Sequence, residues 1–271
     1  MFFKAVIFLI LVFILLVSAE LVCMIIQTRL FIKRKNLSRH TIKKKKKIDI
    51  KDIEEEDFVD KNIIQTYKDD SIPYYVKHNL KKRNKNWNYV FFDDEKVKNF
   101  MEKEFGKEIL EVLNSFEKGC HKADLFRACW LYRYGGVYID IDTEITQDLD
   151  TVLEMIGKEL FSMPYTSEKY YKKRLLNSFI ICNKGNPLMK KCIENIVKID
   201  PLELKNNYTL ILHVMEETLG DDFKYLFEEK NSYEKDPFLF RRNEWLIYKD
   251  EQLIGRSRYQ DYDRTNGFKV Q

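Results

Sequence analysis

Glycine and proline are scarce in this 271-residue chain, nine and five respectively, and neither a GxGxxG nor a GxxxxGKS/T run occurs. That absence excludes a dinucleotide fingerprint and a P-loop. Cysteine is sparse as well: Cys23, Cys120, Cys129, Cys182 and Cys192 form an odd count with no CxxC spacing. Neither a zinc pattern nor a disulfide framework fits, so the thiols are expected to be buried and free. A basic surface is also missing from most of the chain. Ten basic residues and no acid crowd Gln27 to Lys47, which leaves 36 basic against 42 acidic residues from Ile48 onward. An acidic body offers no surface for a phosphate backbone, which argues against nucleic acid as a partner. What the chain does have is apolar material, 45% hydrophobic and 14% aromatic, enough for a core and too much for wholesale disorder.

The longest apolar run is Ala5 to Ile26, interrupted only by Ser18, Glu20 and Cys23. As a helix it spans about 33 Å, enough to cross a bilayer core. The competing reading is a cleaved signal peptide, with Lys4 as its basic start and Val17-Ser18-Ala19 as its cleavage site. The run continues through Leu21 to Ile26, which a cleaved peptide does not need, so residues 1–26 are expected to be an uncleaved single-pass anchor. Positive charge after the segment places the body on the cytoplasmic side. Anchored enzymes of the secretory pathway often have the opposite orientation, so the side of the membrane stays open. Residues 27–60 follow as a charged stem, and 61–271, with no repeat or Gly/Ser linker, as one domain.

Within that domain, Asn62 to Tyr67 is β-prone, a helix follows Pro73, and Tyr89 to Phe92 is a second strand. Asp93 or Asp94 caps a helix whose apolar face is Val97, Phe100, Met101 and Phe105. Ile109, Val112, Leu113 and Phe116 repeat the pattern. Leu160 to Met163 and Ser178 to Cys182 are expected strands, Asn186-Pro187 opens a helix, and Leu210 to Leu219 is another. The alternation is that of an α/β sheet. Beyond Asp221 no element can be placed.

The stretch with chemistry in it is Lys122 to Glu144, KADLFRACWLYRYGGVYIDIDTE. Lys122 to Tyr134 is a helix apolar nearly all round, hence buried, with Asp124 and Arg127 sharing a face at i, i+3. A carboxylate and a guanidinium there are costly unless they meet polar partners. Gly135-Gly136 ends the helix. A strand then alternates Val137, Ile139 and Ile141 with Tyr138, Asp140 and Asp142, and period two sets the two aspartates on one face, roughly 6 to 7 Å apart. Paired acceptor-only carboxylates suit a hard cation such as Mg²⁺ or Mn²⁺. Two further DxD triplets occur, Asp148/Asp150 and Asp261/Asp263, about what chance supplies. Asp150 is better taken as a helix cap, and the last pair lies in a polar tail. His121 is expected at the surface or at a cap, and Trp87 and Trp130 in the core.

This 23-residue block resembles the DXD-containing sugar-binding region of the glycosyltransferases that include fungal initiation-specific α-1,6-mannosyltransferases and inositol-phosphoceramide mannosyltransferases. Ile63 to Tyr67 is similar to that family's opening nucleotide-side strand, and Tyr89 to Glu95 to its second strand. The resemblance implies a GT-A-like mixed α/β fold and a GDP- or UDP-sugar donor. It implies that Asp140 and Asp142 hold Mn²⁺ or Mg²⁺ on the diphosphate, that Asp124 and Arg127 grip the sugar, and that Gln65, Thr66 and Tyr67 lie along the nucleoside. Asn177 is then the catalytic candidate facing the reacting sugar, and Gly136, Tyr138 and Ser178 complete the donor site. The implied reaction is metal-dependent, retaining transfer of a hexose, mannose favoured, to a glycan or glycolipid acceptor at a membrane. A paired-histidine motif of fungal relatives is missing, His213 being the sole late histidine, so no third metal ligand is assigned.

Two other readings stay open. A haloacid-dehalogenase-type phosphatase also places DxD after an apolar strand, and Gly220-Asp221-Asp222 echoes it. That pattern needs Thr or Val where Glu144 stands, and it gives no reason for Asp124 and Arg127. A non-catalytic, membrane-tethered binding protein with a degenerate transferase fold is the other.

Overall fold

The computed structural model describes residues 48–166, 174–231, 245–257, 262–263 and 267–268, together with Val22. The chain divides into units 1–43 and 44–271. The expected anchor and the basic part of the stem lie outside the described residues, apart from Val22, which is helical and exposed. Among the described residues no helix is long and apolar enough to cross a membrane.

The second unit is a mixed α/β body. It begins with β1 (Asn62–Thr66), α1 (Tyr74–Arg83), β2 (Asn88–Phe92), α2 (Asp94–Phe105), α3 (Lys107–Ser115), α4 (Gly119–Tyr134) and β3 (Gly136–Ile139). There follow β4 (Glu144–Ile145), α5 (Leu149–Ile156), β5 (Phe161–Ser162), β6 (Pro164–Thr166), β7 (Arg174–Leu175) and β8 (Phe179–Cys182). Last come α6 (Pro187–Ile196), α7 (Pro201–Asn206), α8 (Leu210–Leu219), β9 (Phe227–Asn231), β10 (Trp245–Lys249) and β11 (Gln252–Arg256). A short pair, β12 (Tyr262–Asp263) and β13 (Gly267–Phe268), stands apart. One sheet runs β2-β1-β3-β8-β5, with β1 parallel to both neighbours and β8 antiparallel to both of its own. The other runs β4-β11-β10-β9-β6-β7 and is mixed too, β6 and β9 being its parallel pair.

Local chemistry accounts for the helix starts. The Asp93 carboxylate accepts from the Lys96 N–H at 2.8 Å, and Asn186 accepts from Leu188 and Met189 ahead of Pro187. Asp150 is not the cap of α5. Asp148 is, taking the Thr151 N–H at 2.9 Å and its hydroxyl at 2.7 Å. Asp150 sits in the first turn and instead accepts from the Trp87 indole N–H at 3.1 Å and pairs with Lys61 at 2.9 Å.

Period two decides what each face of the first sheet meets. Ile64, Tyr138 and Ile180 face a layer built from α2, α3, α4, α6 and α8. Their neighbours Ile63, Val137 and Ile181 face the opposite side, with Trp87, α5 and Phe227, Ile247 and Ile254 of the second sheet. The sheet is therefore covered on both faces, with α4 buried along most of its length. Trp130 lies in this core among Phe92, Phe100, Phe126 and Tyr134. Cys129, Cys182 and Cys192 are buried and free, and burial raises all three thiols.

Residues 48–60, the last part of the expected stem, lie against the α/β body. Ile50 is buried, the Tyr132 hydroxyl donates to the Lys51 carbonyl and accepts from the Ile53 N–H, and Lys184 pairs with Glu56 at 2.5 Å. Gly185 is required there: its φ is +73°, and a Cβ would come within 2.4 Å of the Glu54 carbonyl oxygen.

Candidate active site

Four segments meet at the C-terminal edge of β1 and β3. Helix α4 brings Asp124 and Arg127 on one face, and β3 brings Tyr138. The turn after β3 brings Asp140, and the loop before β8 brings Asn177. Arg127 is the hub and is only 4% exposed. One terminal nitrogen, Nη2, lies 3.2 Å from Asp124 Oδ1 and 3.1 Å from Asp140 Oδ1. The other, Nη1, donates to the Asn177 carbonyl, and Nε donates to the Ala123 carbonyl at 3.3 Å. Its guanidinium carbon lies 4.3 Å from the centre of the Tyr138 ring.

The partners are themselves oriented. The Tyr138 hydroxyl donates to Asp140 Oδ1 at 2.8 Å, and the Asn177 amide donates to Asp124 Oδ1 at 2.7 Å. Gln65, fully buried, donates to the Asp140 carbonyl at 3.3 Å and accepts from the Tyr89 hydroxyl at 3.0 Å. Sequence reasoning did not assign Tyr89 to this set, although it stands in the YVFFDDE segment on the strand beside Gln65.

The electrostatics follow from burial. Asp124 is pushed above the usual carboxylate range by desolvation, with Arg127 and Asn177 pulling back. Desolvation also opposes the charge on Arg127, but Asp140, Tyr138 and Asp124 outweigh it and raise its pKa. Burial raises the Tyr138 phenol well above its ordinary value, so that it remains a neutral donor. Two carboxylates, Asp124 and Asp140, share one guanidinium.

One expectation needs correction. The strand does not run through both aspartates: it stops at Ile139. The Asp140 N–H makes one more bond across to the Ser178 carbonyl at 2.7 Å. The chain then turns, the Thr143 N–H closing onto the Asp140 carbonyl at 2.9 Å. Asp142 is in that turn, so strand periodicity does not relate the two carboxylates. Ile141 between them packs with Val76 of α1, and Tyr67 joins that cluster.

The other expected site residues divide. The Thr66 hydroxyl donates to the Phe92 carbonyl at 2.8 Å and the Tyr67 N–H to the same oxygen at 3.1 Å, both at the site's edge of β1. Ser178 meets Asp140 through its backbone. Gly136 is not brought in. It starts β3, about 13 Å of strand from Asp140, and a Cβ on it would strike the Asn62 carbonyl oxygen at 2.5 Å. Its need is close packing of β3 on β1. His121 is neither surface nor cap: it is buried in the first turn of α4, where Nε2–H donates to the Tyr208 carbonyl at 3.1 Å, and desolvation lowers its pKa. Among the described residues no group of three or more His, Cys, Asp or Glu could hold a metal ion.

Residues 69–160 match the family model of the glycosyltransferase sugar-binding region containing DXD motif. That span includes Asp124, Arg127, Tyr138, Asp140 and Asp142. Over 144 residues the chain is 26% identical to inositol phosphoceramide mannosyltransferase 1 of Schizosaccharomyces pombe, covering 51% of this chain and 43% of that protein. Over 98 residues it is 32% identical to the mannosyl phosphorylinositol ceramide synthase SUR1 of Saccharomyces cerevisiae, covering 35% and 25%. An uncharacterized glycosyltransferase of Acanthamoeba polyphaga mimivirus is 26% identical over 136 residues, covering 49% and 52%. The chain thus spans about half or less of the curated relatives it matches. Among solved structures, the PaToxG glycosyltransferase superposes with a TM-score of 0.43 at 18% identity, over 66% of this chain and 70% of that one.

Proposed function

We propose that this chain, which carries the DXD-containing sugar-binding region of glycosyltransferases and is a distant homologue of the fungal inositol phosphoceramide mannosyltransferases, moves a hexose from a nucleotide sugar to a glycan or glycolipid acceptor. Mannose is the favoured hexose, the sugar those relatives are named for transferring. The observation that carries the reading is the Arg127 hub, which fixes Asp124 and Asp140 side by side at the end of two parallel strands. A crevice beyond the carboxyl ends of parallel strands is where open α/β sheets bind nucleotides.

The division of labour follows from which groups are already engaged. Arg127 and Tyr138 hold Oδ1 of Asp140, leaving Oδ2 for the donor side. Asp124, steadied by Asn177, is an acceptor for sugar hydroxyls. The end of β1 and the residue after it, Gln65 to Tyr67, lie along the nucleoside. Asn177 keeps its place beside the reacting sugar, with its amide on Asp124. Asp140 and Asp142 fit a Mg²⁺ or Mn²⁺ ion, which needs only one or two carboxylates when phosphates and water fill the remaining positions. Bound there, the ion neutralises charge on the departing diphosphate. Retention of anomeric configuration is part of the proposal.

The test is a panel of GDP- and UDP-sugars incubated with the full chain, with Mn²⁺, with Mg²⁺ or with chelator. Release of free sugar and nucleoside diphosphate from one donor, GDP-mannose first, is expected only with metal. Silence on every sugar in the presence of metal removes the transferase reading, and full turnover in chelator removes the ion.

The proposal includes an uncleaved anchor at residues 1–26, because 22 mostly apolar residues match a hydrocarbon core whereas a signal peptide needs about 7 to 15. The basic stem then keeps the body near an anionic surface. Mass spectrometry of the mature N-terminus and carbonate extraction of membranes are expected to find the segment intact and membrane-bound. A chain beginning at Glu20 in the soluble fraction would overturn this.

A further inference from the structure

The turn that carries Asp140 and Asp142 begins where the first sheet stops supporting it. The register of β1 against β3 ends at Ile64 and Tyr138, two residues short of Asp140. From the next position on β1, Gln65 extends the contact with its side chain, Nε2 donating to the Asp140 carbonyl at 3.3 Å. The Thr143 N–H closes on the same oxygen at 2.9 Å, so both lone pairs of that carbonyl are taken. On the other flank the Asp140 N–H donates to the Ser178 carbonyl at 2.7 Å. The backbone of Asp140 is thus held from both sides before the chain turns.

The Gln65 amide is itself oriented. A carbonyl only accepts, so Nε2 must face Asp140 and Oε1 must face Tyr89, whose hydroxyl donates to it at 3.0 Å. Burial raises the Tyr89 phenol, which keeps that proton in place. The sheet supplies the reach. Phe91 of β2 stands opposite Gln65, and Tyr89, two residues earlier, shares its face by period two. Gln65 is fully buried. An amide there is costly unless both its ends are satisfied, whereas a leucine would fill an interior strand position without that cost. What the amide adds is a hold on the turn.

We propose that Tyr89 and Gln65 form a relay that braces the aspartate turn. Tyr89 fixes the Gln65 amide, and Gln65 fixes the Asp140 carbonyl, which sets how Asp140 and Asp142 are presented to the ion. Both are positioning residues, and the Gln65 side chain serves the donor through the turn. The proposal rests on the reading of those two aspartates as the ion's carboxylates and adds the pair that sets their affinity.

The experiment reads binding and backbone exchange, neither of which needs turnover. Tyr89→Phe removes one oxygen from a half-buried ring, and Gln65→Met keeps the side-chain length without the amide. Mn²⁺ uptake is followed by electron paramagnetic resonance with GDP or UDP, whichever the wild type binds. Hydrogen exchange at the Thr143 amide is measured without metal or nucleotide. Gln65→Met is expected to weaken Mn²⁺ binding about tenfold, the scale for losing a group that orients a metal ligand. Tyr89→Phe should weaken it about fivefold, the scale of one hydrogen bond. Thr143 exchange should quicken by similar factors in both. The double variant should match Gln65→Met, because Tyr89 acts only through the amide. Should Gln65→Met fail to fold, Tyr89→Phe carries the test alone. A lower urea midpoint with Mn²⁺ affinity and Thr143 exchange within twofold of wild type would describe a merely structural pair and overturn the relay. So would a double variant a further fivefold weaker than Gln65→Met. A wild type that takes up no Mn²⁺ with either nucleotide overturns the ion in the transferase reading, a different result, and unchanged Thr143 exchange in Tyr89→Phe would then overturn the brace by itself.

Discussion

Asn in place of Asp140 or Asp142 is expected to lower metal-dependent turnover of the nucleotide sugar by a factor of about a hundred to a thousand, the usual scale for losing one group that stabilises charge in the transition state. The urea midpoint of unfolding should move little. In Asp140→Asn the side chain keeps an oxygen for Arg127 and Tyr138, and Arg127 retains the Asp124 carboxylate as its counter-charge. Asp142 lies in the turn beyond the strand, outside the hydrophobic clusters. The variants should therefore fold and fail, and excess Mn²⁺ should restore part of the activity if the lost charge acted on the ion. Variants that turn over donor like wild type would remove both aspartates from the chemistry.

Arg127→Met should be the most destabilising single change at the site. It leaves Asp124 and Asp140 close together with their shared cation gone, and breaking a buried ion pair from one side costs about 3–5 kcal/mol. Urea unfolding at pH 7 is expected to show that loss. The deficit should shrink on acidification, and the sign follows from the direction of the Asp124 shift. Its folded pKa is raised by burial, so its favourable contribution is full below the unfolded value near 3.8 and fades as pH rises through the folded value. Protonating it in the variant removes one of the two stranded charges. Arg127→Lys keeps the charge without the fork of donors, and is expected to recover most of the stability but little of the donor use. An Arg127→Met chain that unfolds at the wild-type midpoint would show that the hub is not a structural centre.

The helices of the body were legible because their signals are local. Asp93 and Asn186 are caps with their partners two or three residues on, and Val97, Phe100 and Met101 mark a helix face without any knowledge of the sheet. Asp124 and Arg127 were legible as a pair for the same reason, since i, i+3 spacing on a helix is a distance. The strand end at Ile139 was not, because the Val137-Ile139-Ile141 alternation continues past the point where β8 stops offering partners. The second sheet was invisible from sequence. Strand β9 reads Phe-Glu-Glu-Lys-Asn, a run with little β-propensity, and it is a strand because β6 and β10 lie on either side of it. His121 was misjudged for a related reason: its hydrogen-bond partner is the Tyr208 carbonyl, 87 residues away.

Long-range pairing also determines what can be cut from this chain. The stretch that matches the sugar-binding family, 69–160, contains β2 and β3 but neither β1, which lies between them, nor β8, which flanks β3. Excised, it would have two strands of the first sheet separated by a gap one strand wide, with no Gln65 to hold the Asp140 carbonyl and no Asn177 to hold Asp124. The segment that matches the family model is thus not a portable module. The smallest piece that could bind a donor begins before Asn62 and ends after Cys182, and graft or truncation boundaries placed at the edges of the homologous stretch would divide the sheet through its middle.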